Sequence, residues 1–456
     1  LTKRVIDYLK QNRSETYDRL HQFLKIPSIS TDPNHQSDIK EAAQFVQSYL
    51  TDIGLDQVEI QETGGHPLVY AEHLKAEGAP TVLIYGHYDV QPVDPLELWE
   101  TPPFEPTEKQ GRLYARGASD DKGQVFMHLA VLEAFMKTEG SLPINVKVCI
   151  EGEEEIGSEH LYDVLEEKKE QFDADFAIIS DSGMVANDQP TILYGLKGFT
   201  GLEVTLEGPE NDLHSGLYGG AIKNPLMAMS QLLASMKSED EVVLVDHFYD
   251  EVEPLTPEEL KLIEQAPSED YQTTTGVKET VSEAGFSASE HTMGRPTLEV
   301  NGLFGGYQGE GTKTIIPSTA TAKLTCRLVP GQDPETIQNL LVDHIEKHTP
   351  VGVTPVIKRE PLSAKAYKVD PNHELIQKAK DSYTKAFNKE AVFVRMGGSI
   401  PVVEWIDSIF DIPVILFGFG TPDDRLHSPN ESFPLANFDR GVVALVDYYA
   451  SLASNS

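Results

Sequence analysis

Apolar residues recur along this chain in two rhythms. Residues 81–90 (TVLIYGHYDV) form an apolar run that breaks at Gly86, and 175–181 (DFAIISD) and 413–419 (PVILFGF) are similar. Short runs of this kind predict strands covered on both faces. Residues 144–151 (INVKVCIE) alternate apolar and polar positions, then stop in an acidic cluster. Helical spacing fills 40–53, 121–137, 158–170 and 434–453. Near the start, Val5, Leu9, Tyr17, Leu20, Phe23 and Leu24 are spaced for the buried face of an amphipathic helix. Strands alternating with helices predict an α/β fold, a mostly parallel sheet flanked by helices.

The middle of the chain follows another order. Residues 199–208 read as a strand, 221–237 as an amphipathic helix, 297–303 and 319–329 as strands, 334–348 as a helix and 353–358 as a last strand. This βαββαβ order predicts a ferredoxin-like α+β domain. A stretch rich in Glu, Pro and Thr, 238–296, interrupts it. The expected organisation is a discontinuous domain, 1–197 and 365–456, with a second domain, 198–364, inserted. Two domains suit a chain of 456 residues.

Composition narrows the function. With 73 acidic against 37 basic residues the net charge is −36, which argues against nucleic acid as a partner. The surplus fits a solvated surface or a negative cleft that holds cations, and only motifs separate the two. No apolar run is long enough to span a membrane, and the first residues lack the apolar core of a signal peptide. Cys149 and Cys326 both lie in apolar strand-like runs and read as packed thiols, so a cytoplasmic setting is expected.

The chemistry gathers where the predicted strands end. Gly86-His87-Tyr88-Asp89, the loop 117–123 (GASDDKG), Glu151-Gly152-Glu153-Glu154-Glu155, Ile179-Ser180-Asp181 and Leu426-His427-Ser428 each offer an imidazole or carboxylate at or beyond a strand's C-terminal end, or in the loop after it. That is where open α/β sheets build their sites. A single GHYD could be a surface turn and a run of three Glu a solvated loop; their shared placement argues otherwise. Zinc accepts imidazole nitrogen and carboxylate oxygen. The set divides into two ions, one held by His87 and Asp181, the other by Glu155 and His427, with Asp120 bridging. Glu154, beside a ligand but not needed as one, is the candidate general base. Asp89 is placed to accept the second ring N–H of His87. Zn2+ is the expected ion, with Mn2+ or Co2+ also compatible with these donors.

GHYDVQP (86–92), RGASDDKGQ (116–124), EGEEEIGSE (151–159), DLHSGLYGG (212–220), KTIIP (313–317), CRLVP (326–330), GGSIPV (397–402) and LHSPNE (426–431) together resemble a zinc metallopeptidase family. That family includes carnosinase, cytosolic nonspecific dipeptidase, acetylornithine deacetylase, succinyl-diaminopimelate desuccinylase and carboxypeptidase G, and these motifs are most similar to its dipeptidase branch. The resemblance implies the same ligands and base, and a cis peptide between Asp120 and Asp121. It implies a homodimer, with 198–364 as lid and dimerisation domain, in which His214 and Thr314 serve the partner's site, His214 polarising the scissile carbonyl. Arg327 resembles the clamp for the substrate carboxylate, with Ser399 contacting the same group. Asp rather than Glu at 181 resembles members acting on peptides with a free amine.

The activity expected from this reading is hydrolysis of dipeptides or short peptides by a metal-bridging hydroxide, with Glu154 moving the proton. An N-acyl amino-acid amidohydrolase could use the same site, because both substrates end in a carboxylate. A binding protein that has kept the fold without catalysis is the remaining alternative.

Overall fold

The computed structural model describes residues 2–267 and 270–453. Leu1 and 454–456, at the edges of the predicted first domain, lie outside the described residues, as do Ser268 and Glu269 of the predicted insertion. The chain forms two compact units, one made of Leu1–Tyr194, Val369–Val394 and Trp405–Ser456, the other of Gly195–Lys368 and Arg395–Glu404. The sequence reading left 395–404 with the flanking segments. Here Arg395 pairs with Glu259 at 3.3 Å, and Ser399 bonds to Arg327 and to the Lys197 carbonyl, which ties that stretch to the second unit.

The first unit is built on the expected α/β sheet. Its central strands are parallel and run in the order Asn145–Glu151, Thr81–His87, Phe176–Ile179, Val414–Leu416. Asp56–Gln61 and Leu68–His73 extend one side with antiparallel pairing. The alternation read at 144–151 gives way to burial on both faces, with only Asn145 partly exposed, because Lys147 bends its ammonium to the carbonyls of Glu170 and Asp173. The helix Lys122–Glu139 shows almost no amphipathic pattern and is buried all round through its first four turns. Thr2–Gln11, Arg13–Leu24 and Leu435–Ser451 pack around it. Each large apolar side chain it buries, such as Phe126 or Phe135, contributes about 1.5–3 kcal/mol.

Two helices differ from expectation. The single N-terminal helix is two, Thr2–Gln11 and Arg13–Leu24, divided at Asn12, which leaves helical geometry and turns its side-chain amide onto the Tyr8 carbonyl. The 158–170 helix is likewise Leu161–Glu167 followed by Lys169–Phe172.

The second unit has a four-stranded antiparallel sheet ordered Thr297–Gly305, Thr319–Leu328, Gly198–Glu207, Thr354–Arg359. Helices Pro225–Ala234 and Pro334–His348 cover one face, and Leu232, Leu324, Leu341 and Ile345 lie in the core between. This is the expected ferredoxin-like order. Among the described residues of 238–296 the chain makes three short helices, Pro257–Gln265, Tyr271–Thr275 and Ala288–Gly294, the first and last started by capping boxes (Thr256 with Glu259, Ser287 with Glu290). Both cysteines are buried free thiols, and no described helix is long and apolar enough to cross a membrane.

Candidate active site

Parallel strands put successive C-terminal ends side by side, and this brings the first group of side chains together. His87 closes Thr81–His87, the strand that lies between Asn145–Glu151 and Phe176–Ile179. The 3-10 turn Glu154–Ile156 and Asp181 follow its two neighbours, so they emerge on either side of His87. Asp120 comes from the loop that enters Lys122–Glu139. That loop can fold against the helix start because residue 123 is glycine: a Cβ there would sit 1.9 Å from the Ala118 carbonyl oxygen. The Asp120–Asp121 peptide is cis. His427 lies in the loop before Ser432–Pro434, with a left-handed backbone (φ 58°) that a non-glycine residue adopts at a cost of order 1 kcal/mol.

Asp120 stands in the middle. Its Oδ1 is 3.1 Å from His87 Nε2 and its Oδ2 is 2.9 Å from His427 Nε2, so each oxygen faces one imidazole. His427 Nε2 is also 3.2 Å from Glu155 Oε2, and His87 Nε2 is 3.8 Å from Asp181 Oδ2. Two donor triads result, His87–Asp120–Asp181 and Asp120–Glu155–His427, each with ligand atoms within 4.8 Å of one another. Imidazole and carboxylate donors at this spacing fit divalent ions of the zinc, manganese and cobalt type, and the shared Asp120 fits a pair of them. Glu154 Oε2 sits 4.0 Å from His87 Nε2, beside both triads and part of neither.

The charges describe a site that attracts cations. Burial works against a proton on His87, yet its contacts with Asp120 and Asp89 and the charges of Asp181 and Glu154 hold its pKa well above the usual imidazole value. His427, with its side chain 55% exposed, is raised to about 10 by its bonds to Asp120 and Glu155. Burial raises Asp181 to about 7 with help from Asp120, and raises Glu154 well above the carboxylate range, with His87 opposing and Asp181 adding. Burial pushes Asp120 up as well, but the two imidazoles overcome it and hold it below its ordinary value. A field that draws protons onto two imidazoles draws divalent cations by the same attraction.

The supporting groups go beyond the sequence reading. Asp89 does meet His87 Nδ1, through Oδ1 at 3.3 Å and its carbonyl at 3.1 Å. Its carboxylate also accepts the backbone N–H groups of Glu154 (3.3 Å) and Glu155 (3.1 Å), so one residue fixes an imidazole and the acidic turn together. Gln91 donates to Glu155 Oε2 at 2.8 Å. Gln124 donates to the carbonyls of Ser119 and Ser182 and accepts from Phe419 N, joining three loops around the site. His128 links Tyr449 to Ser180, the neighbour of Asp181. Gln91 and Gln124 lie inside quoted motifs, but nothing local marks their partners.

In the second unit, His214 and Thr314 are brought together. Leu213–His214 pairs with Ile315–Ile316, Ser215 N donates to the Thr314 carbonyl at 3.0 Å, and both residues are exposed. His214 Nδ1 accepts from Gly216 N at 3.0 Å, so in the neutral ring the proton sits on Nε2 and faces outward as a donor. Arg327 Nη1 donates to Ser399 Oγ at 3.0 Å, and Ser399 donates to the Lys197 carbonyl. The cations near Arg327 are satisfied by the 238–296 segment: Arg395 by Glu259, Arg295 by a fork onto Glu283, and Lys197 by the His291 carbonyl at 3.0 Å. Among the described residues no carboxylate pairs with Arg327, whose guanidinium bonds to Ser399 and lies over the Phe199 ring.

A model of peptidase family M20/M25/M40 matches residues 83–451. The Cys-Gly metallodipeptidase dug1 of Schizosaccharomyces pombe is 31% identical over an alignment covering 99% of this chain and 98% of its own. Among solved structures, the M20 family metallo-carboxypeptidase Sso-CP2 of Sulfolobus solfataricus is similar with a TM-score of 0.85 at 31% identity, over 96% of this chain and 99% of that one. Human carnosine dipeptidase 1 is similar with a TM-score of 0.82 at 28% identity, over 99% of each chain. The family read from the motifs is borne out: the chain belongs to peptidase family M20/M25/M40 and is a metal-dependent peptidase.

Proposed function

We propose that the chain hydrolyses dipeptides or short peptides that carry a free amine and a free carboxylate, with two divalent ions, zinc foremost, held by His87, Asp120, Glu155, Asp181 and His427. The observation that carries this reading is Asp120, whose two oxygens each face one histidine of a different donor triad. Such ions supply Lewis acidity toward a carbonyl and toward water. Glu154 takes the proton of the attacking water and returns it to the leaving amine, the two steps a single carboxylate can serve in turn. Asp89 holds His87 in one tautomer and keeps the Glu154 turn in place. Arg327, oriented by Ser399, receives the substrate carboxylate through its planar fork. In a homodimer, His214, with Thr314 beside it, donates its Nε2 proton to the oxyanion in the partner's site. Two unbridged, buried thiols support a reducing, cytosolic setting.

A second reading has support of its own, since the Sulfolobus relative is named a carboxypeptidase. A panel of free dipeptides, N-acetylated dipeptides and tripeptides, assayed with each metal added back to chelator-treated protein, separates the readings. Turnover restricted to free dipeptides and short free peptides is expected. Preference for the N-acetylated substrates would replace this reading with a deacylase or carboxypeptidase, and inertness on the whole panel with metal present would favour a binding protein.

A further inference from the structure

Glu431 belongs to neither donor triad, yet its carboxylate accepts four hydrogen bonds beside them. It is fully buried with Arg116, each side chain 1% exposed, and Oε2 accepts from Arg116 Nη1 at 2.7 Å. The remaining bonds all go to the Asp120 loop. Oε2 accepts from Gly117 N at 3.1 Å, and Oε1 from Ser119 N at 3.0 Å and Asp120 N at 3.1 Å. One side chain thus satisfies three amides of a loop that has no strand or helix partner for them. Its own carbonyl accepts Ala115 N, and the preceding Asn430 is clamped between Glu100 N and the Leu98 carbonyl.

Glu431 also belongs to the segment that carries His427. The loop with the shared ligand and the loop with a terminal ligand are therefore joined by a buried four-bond anchor. A buried ion pair is weak support for stability, because desolvating both charges offsets their attraction. What this pair does gain is a fixed position for the Asp120 backbone.

We propose that Glu431 is a positioning residue that sets Asp120 between the two ion positions in advance of metal, so that both positions lose affinity together when it is removed. This rests on the two-ion reading above. In Glu431→Gln the carboxamide nitrogen turns a donor toward groups that are themselves donors, breaking the bonds on one side of the anchor.

The test uses the full chain, stripped by chelator and titrated with Zn2+ alone by calorimetry. Wild type should take up two ions. E431Q should bind both at least tenfold more weakly, with KM unchanged and kcat recovered in excess zinc, while E431D, which keeps the charge, should fall between. Tyr49→Phe, which removes a buried bond to Glu133 outside the site, provides the control: it should lower Tm without moving zinc affinity. E431Q affinities within twofold of wild type, with Tm lowered as in the control, would overturn the proposal.

A measurement on wild type stands even where the variants do not fold. The amides of Gly117, Ser119 and Asp120 should exchange at least tenfold slower than an open loop in zinc-free protein, and free exchange there would equally overturn it. Wild-type protein that binds no zinc would instead overturn the two-ion reading itself.

Discussion

Replacing Glu154 by Gln removes a proton acceptor and leaves the side chain's shape. Its backbone N–H, which holds the turn to Asp89, is untouched, and Glu154 belongs to neither donor triad, so metal content should stay at the wild-type level. Positioned acid–base catalysis contributes roughly 10²–10⁴ in rate, or about 2.7–5.4 kcal/mol of barrier. Glu154 is assigned both proton steps, which puts the expected loss of kcat in the upper half of that span. The same change removes a carboxylate that burial penalises and that Asp181, Asp120 and Glu155 repel, outweighing its attraction to His87, so the ion-free variant should melt higher than ion-free wild type. The assay is kcat on a free dipeptide with zinc counted by mass spectrometry, beside a thermal scan of stripped protein. A variant with full zinc and kcat within tenfold of wild type would refute the base assignment. Loss of zinc would show instead that Glu154 is a ligand.

Four further outcomes follow from the same geometry. Both imidazoles of the ion-free site are raised, His427 to about 10, so at neutral pH they hold protons that metal must displace. Apparent zinc affinity should therefore rise with pH up to that range, by up to tenfold per unit for each proton displaced; calorimetry in buffers of different ionisation enthalpy should detect proton release, and its absence would contradict the assignment. The ion-free fold shows the opposite sign: these raised pKa values add stability that is complete below about pH 6.5 and is lost as pH climbs through the folded values. Asp89→Asn should weaken zinc binding about 10–100-fold, because the amide cannot accept from His87, Glu154 N and Glu155 N together; unchanged affinity would remove Asp89 from the assembly. Arg327→Lys exchanges a fork for a point charge and should raise KM by about 10–100-fold at little cost in kcat, with C-terminally amidated substrates indifferent to the change.

Much of this was legible in the chain because the ligands sit at strand ends, and strand ends are marked by where apolar runs stop. Thr81–His87 and Phe176–Ile179 announce themselves in this way, and their order in the sheet does the rest. What could not be read depends on partners far away in sequence. Nothing near Glu431 says that its carboxylate meets Gly117, Ser119 and Asp120, and nothing near Asp89 says that it holds the 154–155 turn as well as His87. Helix breaks were missed for a different reason. Asn12 interrupts an amphipathic stripe without disturbing its spacing, since the buried positions on both sides stay in phase. The short helices of 238–296 are set by their caps rather than by periodicity, and five-to-nine-residue pieces are too brief for a hydrophobic period to show.

The helix Lys122–Glu139, wrapped by Thr2–Gln11, Arg13–Leu24 and Leu435–Ser451, has a consequence for biosynthesis. The wall it needs against water is completed by Leu435–Ser451, which leaves the ribosome long after the helix itself. The 198–364 stretch, whose sheet pairs only within itself, is finished long before then. A nascent chain halted after residue 364 should hold a protease-resistant second unit beside a still-soluble but protease-sensitive first one, and long-range closure of this kind is slow. The acidic loops that would bind metal should thus stay open to solvent until Leu435–Ser451 emerges, and become a site only when that helix docks.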